Sequence, residues 1–67
     1  MDTGLKGKLV IITGGARGLG YASATKFALE GAEIVLADIN EEMVKESAAK
    51  LHEETGAVCH AYRLDVS

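Results

Sequence analysis

The sequence predicts an α/β fold, a β-α-β-α-β half of a doubly wound parallel sheet, and three observations carry that prediction. Two short apolar runs, Leu9-Val10-Ile11-Ile12 and Ile34-Val35-Leu36-Ala37, have the length and β-branched content of strands. Each is followed by a longer stretch whose apolar residues recur at helical spacing. A glycine-rich turn, Thr13-Gly14-Gly15-Ala16-Arg17-Gly18-Leu19-Gly20, joins the first run to its helix.

The elements follow in order. Residues 8–13 form the first strand, and their unbroken apolar run predicts burial on both faces, as in a parallel sheet covered by helices. Residues 18–30 form a helix that packs through Leu19, Ala22, Ser23, Phe27 and Leu29, with Gly31 placed to end it. Residues 33–38 return to strand character, and a right-handed crossover sets the two strands parallel. Asn40 caps a second helix, with Glu41 and Glu42 at its positive end and Met43, Val44, Ser47, Ala48 and Leu51 on one side; Gly56 stops it. Residues 57–64 alternate in the mixed manner of an outer strand.

Length and composition bound what such a chain can be. With 67 residues and no proline it is at most one small domain, in the range where burial of a core is marginal. The hydrophobic fraction of 48% against 25% charged excludes a disordered composition. The net charge of -3, with dispersed lysines and arginines, argues against a nucleic-acid partner. Neither a signal-peptide core nor a run of about 18 apolar residues occurs, so a cytoplasmic protein without a membrane partner is expected. Cys59 is the single cysteine, which precludes an internal disulfide and reads as a small strand residue. His52 and His60 lack companions at metal-ligand spacing, and no metal is expected.

The glycine turn carries the chemistry. A pyrophosphate must approach main-chain N–H groups at a helix start, where unpaired donors and the positive dipole end favour an anion. Side chains would obstruct that approach, and glycine removes them while permitting positive φ. The dinucleotide spelling with glycines at first, third and sixth positions would run Gly18, Gly20, Ser23, an approximate fit; the phosphate-loop spelling fails because no Gly-Lys dipeptide is followed there by Ser or Thr. Thr-Gly, three residues, Gly, one residue, Gly is met in full by Thr13, Gly14, Gly18 and Gly20. That arrangement resembles the short-chain dehydrogenase/reductase family.

Asp38 ends the second strand about 20 residues beyond the glycines, where a carboxylate can accept from both ribose hydroxyls of a bound dinucleotide and repel a 2′-phosphate. It therefore favours NAD over NADP, although an aspartate before Ile39-Asn40 also suits a turn or a helix entry. Arg17 pulls the other way, since a guanidinium in the loop can reach a phosphate, including that of NADP; it also reads as a solvated loop charge. An uncompensated repulsion at Asp38 is expected to outweigh one flexible exposed contact.

The resemblance implies more. Thr13 would order the turn, Gly14, Gly18 and Gly20 shape it, and Leu19 gives its backbone N–H to the pyrophosphate. Ile39 would lie against the adenosine, Asp65 hydrogen-bond the adenine amino group, and Val66 meet the adenine through its backbone. From its surroundings alone Asp65 reads equally as a strand-end residue. The family's reaction uses a tyrosine with a lysine four residues later, but Thr25 follows Tyr21 at that distance and Val66 follows Tyr62. No catalytic residue is therefore expected within residues 1–67. By the resemblance they are expected to be the N-terminal, incomplete part of one NAD(P)-binding Rossmann domain of an oxidoreductase with a small carbonyl or alcohol substrate, the intact protein being a homo-oligomer. The rival reading is a stand-alone nucleotide-binding or interaction module without catalysis.

Overall fold

The computed structural model describes residues 6–65 and has five elements: β1 (Leu9–Thr13), α1 (Gly18–Leu29), β2 (Glu33–Asp38), α2 (Glu41–Thr55) and β3 (Cys59–Arg63). The three strands are parallel in the order β1-β2-β3. Ile12 pairs with Leu36 and Leu36 with Ala61, so the strands end level with one another and present a common C-terminal rim. The predicted β-α-β-α-β order is the observed one. The strand at residues 57–64 is shorter than predicted, and Val58 stands before it with half its surface exposed.

Both helices pack on one face of the sheet. Ile34 and Leu36 point into that layer and are fully buried with Ala24, Val44 and Leu51. α2 packs through Val44, Ala48 and Leu51 as its periodicity requires, whereas Met43 is exposed. Its ends are built from the sequence signals: Asn40 Oδ1 accepts from the Met43 N–H at 3.0 Å, and Gly56 takes a left-handed φ of 75° while its N–H bonds the His52 carbonyl at 2.7 Å.

Two expectations are corrected. α1 does not pack through Leu19, Ala22, Ser23 and Leu29; Leu19 is 87% and Leu29 69% exposed, and Ala24 and Ala28 are buried instead, flanked by half-buried Tyr21 and Phe27. Close approach of the helix backbone to the sheet selects small side chains, so its core face is its least bulky one. Nor is β1 buried on both faces. Val10 and Ile12 join the core, but Leu9 is 56% and Ile11 63% exposed on a face that no described helix covers. Among the described residues β1 has a strand neighbour only on its β2 side. No helix there is long and apolar enough to cross a membrane.

Candidate functional site

The site is a pocket of about 310 Å³ at the C-terminal rim of the sheet, lined by Thr13, Gly14, Arg17, Ala37, Asp38, Ile39 and Leu64. Sheet register creates it. The β1–β2 ladder runs into the loop through the Gly15 N–H, which donates to the Ala37 carbonyl at 3.2 Å, and Leu64 N–H donates to the Asp38 carbonyl at 3.0 Å. Three chain segments leave the sheet side by side, and the cleft opens between them.

Glycine sets the loop in two physical ways. Gly14 and Gly18 have φ of 67° and 39°, in the left-handed region that side chains disfavour. Gly15 and Gly20 are needed for space: a Cβ on Gly20 would lie 2.4 Å from the Gly14 carbonyl oxygen, and one on Gly15 2.7 Å from Leu36 Cδ2 and 2.9 Å from the Ile12 carbonyl oxygen. Gly15 is not one of the motif glycines; a Cβ there is obstructed by the Ile12 backbone carbonyl and by the Leu36 side chain on the neighbouring strand. Beneath the loop, Ser47 Oγ of α2 donates to the Ala16 carbonyl at 3.4 Å.

The start of α1 differs from that of α2. Arg17 is its N-cap and gives no side-chain cap, and its first turn has no acidic residue. An α-helix leaves its first N–H groups without intrahelical acceptors, here those of Gly18, Leu19 and Gly20, whereas Tyr21 N–H already bonds the Arg17 carbonyl. These donors and the helix dipole make the end of the loop electropositive.

Asp38 supplies the opposite charge. Its side chain is only 5% exposed. Oδ1 accepts from the Asn40 N–H at 3.2 Å, while Oδ2 is buried without a hydrogen-bond partner. Arg17 Nε lies 3.8 Å from Oδ2, near enough for attraction but beyond hydrogen-bond reach, on a side chain 62% exposed. A buried carboxylate oxygen without a hydrogen-bond partner costs on the order of 1–3 kcal/mol.

Five of the ten residues singled out in the sequence, Thr13, Gly14, Arg17, Asp38 and Ile39, line this pocket. Gly18, Leu19 and Gly20 stand beside it on the first turn of α1 rather than in its wall. Asp65 is also outside the wall, with Oδ2 3.9 Å from the Arg63 guanidinium, and Leu64 is the residue after β3 that lines the pocket. Val66 lies outside the described residues.

Tyr21 and the two histidines are engaged elsewhere. Tyr21 donates to Glu54 Oε1 at 2.7 Å with Lys50 Nζ 5.7 Å from its ring centre, and its phenol is pushed up to about 12 by desolvation and then by the Glu54 hydrogen bond and charge. It is the reverse of a tyrosine prepared to exchange a proton at neutral pH. His52 Nδ1 lies 2.7 Å from the Ala57 carbonyl and His60 Nε2 2.6 Å from Glu33 Oε2. Among the described residues no three His, Cys, Asp or Glu side chains are grouped as a metal would require.

Comparison with known proteins supplies the family. The model of the short chain dehydrogenase family matches residues 8–67. The chain belongs to that family. A 2,5-dichloro-2,5-cyclohexadiene-1,4-diol dehydrogenase of Sphingobium indicum is 48% identical over all 67 residues, which are 26% of its own length. L-Sorbose reductase from Gluconobacter frateurii, solved with NADPH and L-sorbose, superposes with a TM-score of 0.91 at 41% identity, over 98% of this chain and 25% of the reductase. A Burkholderia phymatum short-chain dehydrogenase/reductase solved with NAD gives a TM-score of 0.84 at 37% identity, over 92% of this chain and 22% of that one. The chain thus spans about a quarter of the length of these relatives. One structural relative holds NADPH and the other NAD, so family membership leaves the choice of cofactor to the residues of the pocket.

Proposed function

We propose that this chain forms the part of an NAD-dependent short-chain dehydrogenase/reductase that holds the adenosine and pyrophosphate of the cofactor. The intact protein would transfer a hydride between a nicotinamide and the carbonyl or alcohol carbon of a small substrate. The hydride chemistry is the cofactor's, and this chain contributes binding and orientation.

The observation that carries the reading is the buried, unpartnered Oδ2 of Asp38, a residue that lines the pocket with Gly14 and Arg17. A ribose hydroxyl is a neutral donor of the kind this oxygen lacks. The fit extends to the loop, where any side chain at Gly20 would collide with the Gly14 backbone. In this reading Thr13, Gly14, Gly18 and Gly20 shape the turn, and Leu19 N–H binds the pyrophosphate. Ile39 lies against the adenosine, while Asp65 and the Val66 backbone meet the adenine. NAD is preferred because a 2′-phosphate would stand against the Asp38 carboxylate. Reading the chain as a self-contained module is disfavoured by the apolar sheet face with Leu9 and Ile11 bare.

Asp38→Ala tests this directly. Hydrogen bonds to a charged group are worth about 1.5–3 kcal/mol, so NAD affinity is expected to fall about 10- to 100-fold while NADP affinity holds or rises. Calorimetric titration of both cofactors reads the ratio. An NAD/NADP ratio unchanged by the substitution would remove Asp38 from the ribose site.

A further inference from the structure

By sequence Asp38 and Arg17 are rivals in cofactor choice. Their geometry gives a different relation. Arg17 Nε stands 3.8 Å from Oδ2, the one oxygen of Asp38 without a hydrogen bond, and both residues line the same pocket. We propose that Arg17 competes with the cofactor's ribose for Asp38, so that the loop arginine weakens the binding of NAD. The inference rests on the dinucleotide reading of the pocket and adds to it a role for the free protein.

The physical chain is short. Asp38 Oδ1 already accepts from the Asn40 N–H, whereas Oδ2 is buried and accepts from no group among the described residues, so Oδ2 is the less satisfied of the two acceptors. Burial makes that charge costly, and Arg17 is the cation that offsets it before any ligand arrives. A ribose hydroxyl seated on Oδ2 must take the space or the interaction that Arg17 holds. Removing Arg17 therefore raises the free energy of the empty site more than that of the filled one, and affinity rises. Because the guanidinium is mostly solvent-exposed, the effect is of the size of a partly screened pair, about two- to five-fold in affinity. A 2′-phosphate meets the reverse situation: Arg17 can turn from Asp38 to the phosphate, so the same substitution removes a favourable partner.

Adenosine separates the two roles, because it has the ribose diol and no phosphate. Titrating the 67-residue chain with adenosine, NAD and NADP is expected to show Arg17→Ala binding adenosine and NAD about two- to five-fold more tightly and NADP more weakly. In an Asp38→Asn background Arg17→Ala should leave adenosine affinity unchanged. A loss of adenosine affinity in Arg17→Ala, no change, or an equal gain with and without Asp38 would each overturn the competition. The pair is also visible without ligand: the Arg17 Nε–H NMR resonance should move on Asp38→Asn, and an unmoved resonance overturns the proposal whatever the nucleotide results. If the parent chain binds none of the three ligands, the dinucleotide reading falls first and the competition with it. Binding by the parent without the Arg17→Ala gain overturns the competition alone.

Discussion

Gly20→Ala is expected to destabilise the chain by about 3 kcal/mol and to reduce dinucleotide affinity at least about ten-fold. The magnitude is the outcome of two opposed effects. Gly20 lies inside α1, where alanine is the better helix former by about 1 kcal/mol. Against that, the new Cβ would stand 2.4 Å from the Gly14 carbonyl oxygen and 3.0 Å from Gly14 C and Gly15 Cα. All three are backbone atoms, so no side chain can swing aside; the loop and the helix must separate. Separation moves the N–H groups of Gly18 and Leu19 away from the loop that they complete. Gly18→Ala is the control: its Cβ meets open space and only its φ of 39° is strained, at about 1–2 kcal/mol. Urea melts of the two variants are expected to rank Gly20→Ala as the more damaging, and the opposite order would show that the loop yields easily.

Leu36→Ala is expected to cost about 2–5 kcal/mol, against a total of roughly 3–10 kcal/mol for a chain of this size. Leu36 is fully buried at the centre of the middle strand, between Ile12 and Ala61 in register and under both helices. The same side chain supports the loop, as its Cδ2 occupies the space next to Gly15. The substitution therefore opens a cavity under the glycine turn as well as in the core. Thermal melts with and without NAD check both consequences: the variant should melt lower, and added NAD should raise its midpoint less than that of the parent chain. A midpoint within a few degrees of the parent would show that the layer collapses around the loss.

The order of elements was legible in the sequence because its signals are local. The limits of β2 and the capped ends of α2 follow from an apolar run, an asparagine and a glycine, each acting within a few residues of itself. The glycine spacing likewise located the loop. What was not legible depends on distant residues. The packing face of α1 is set by how closely Ala24 and Ala28 approach the sheet, and bulk was a misleading guide, as exposed Leu19 and Leu29 demonstrate. Leu36 of the neighbouring strand crowds Gly15 from 21 positions away, and Leu64 enters the pocket through a bond to the Asp38 carbonyl. The contact between Arg17 and Asp38 is of the same kind: each residue was identified separately, and only the fold brings them to 3.8 Å.

The bare face of β1 has a different origin. Its sequence is that of a strand covered on both sides, and the described residues cover one. The chain accounts for about a quarter of the length of its relatives. Leu9 and Ile11 leave that face apolar and exposed, which is expected to favour self-association of the 67-residue chain.

The measurement that bears most directly on the central claim is a titration of the 67-residue chain with NAD, with NADP in parallel, followed by amide NMR shifts. The account predicts shifts gathered at residues 14–20, Asp38 and Asp65, saturating at lower concentration with NAD than with NADP. A folded spectrum in which those amides do not move, or in which the shifts gather away from the C-terminal rim of the sheet, would contradict it.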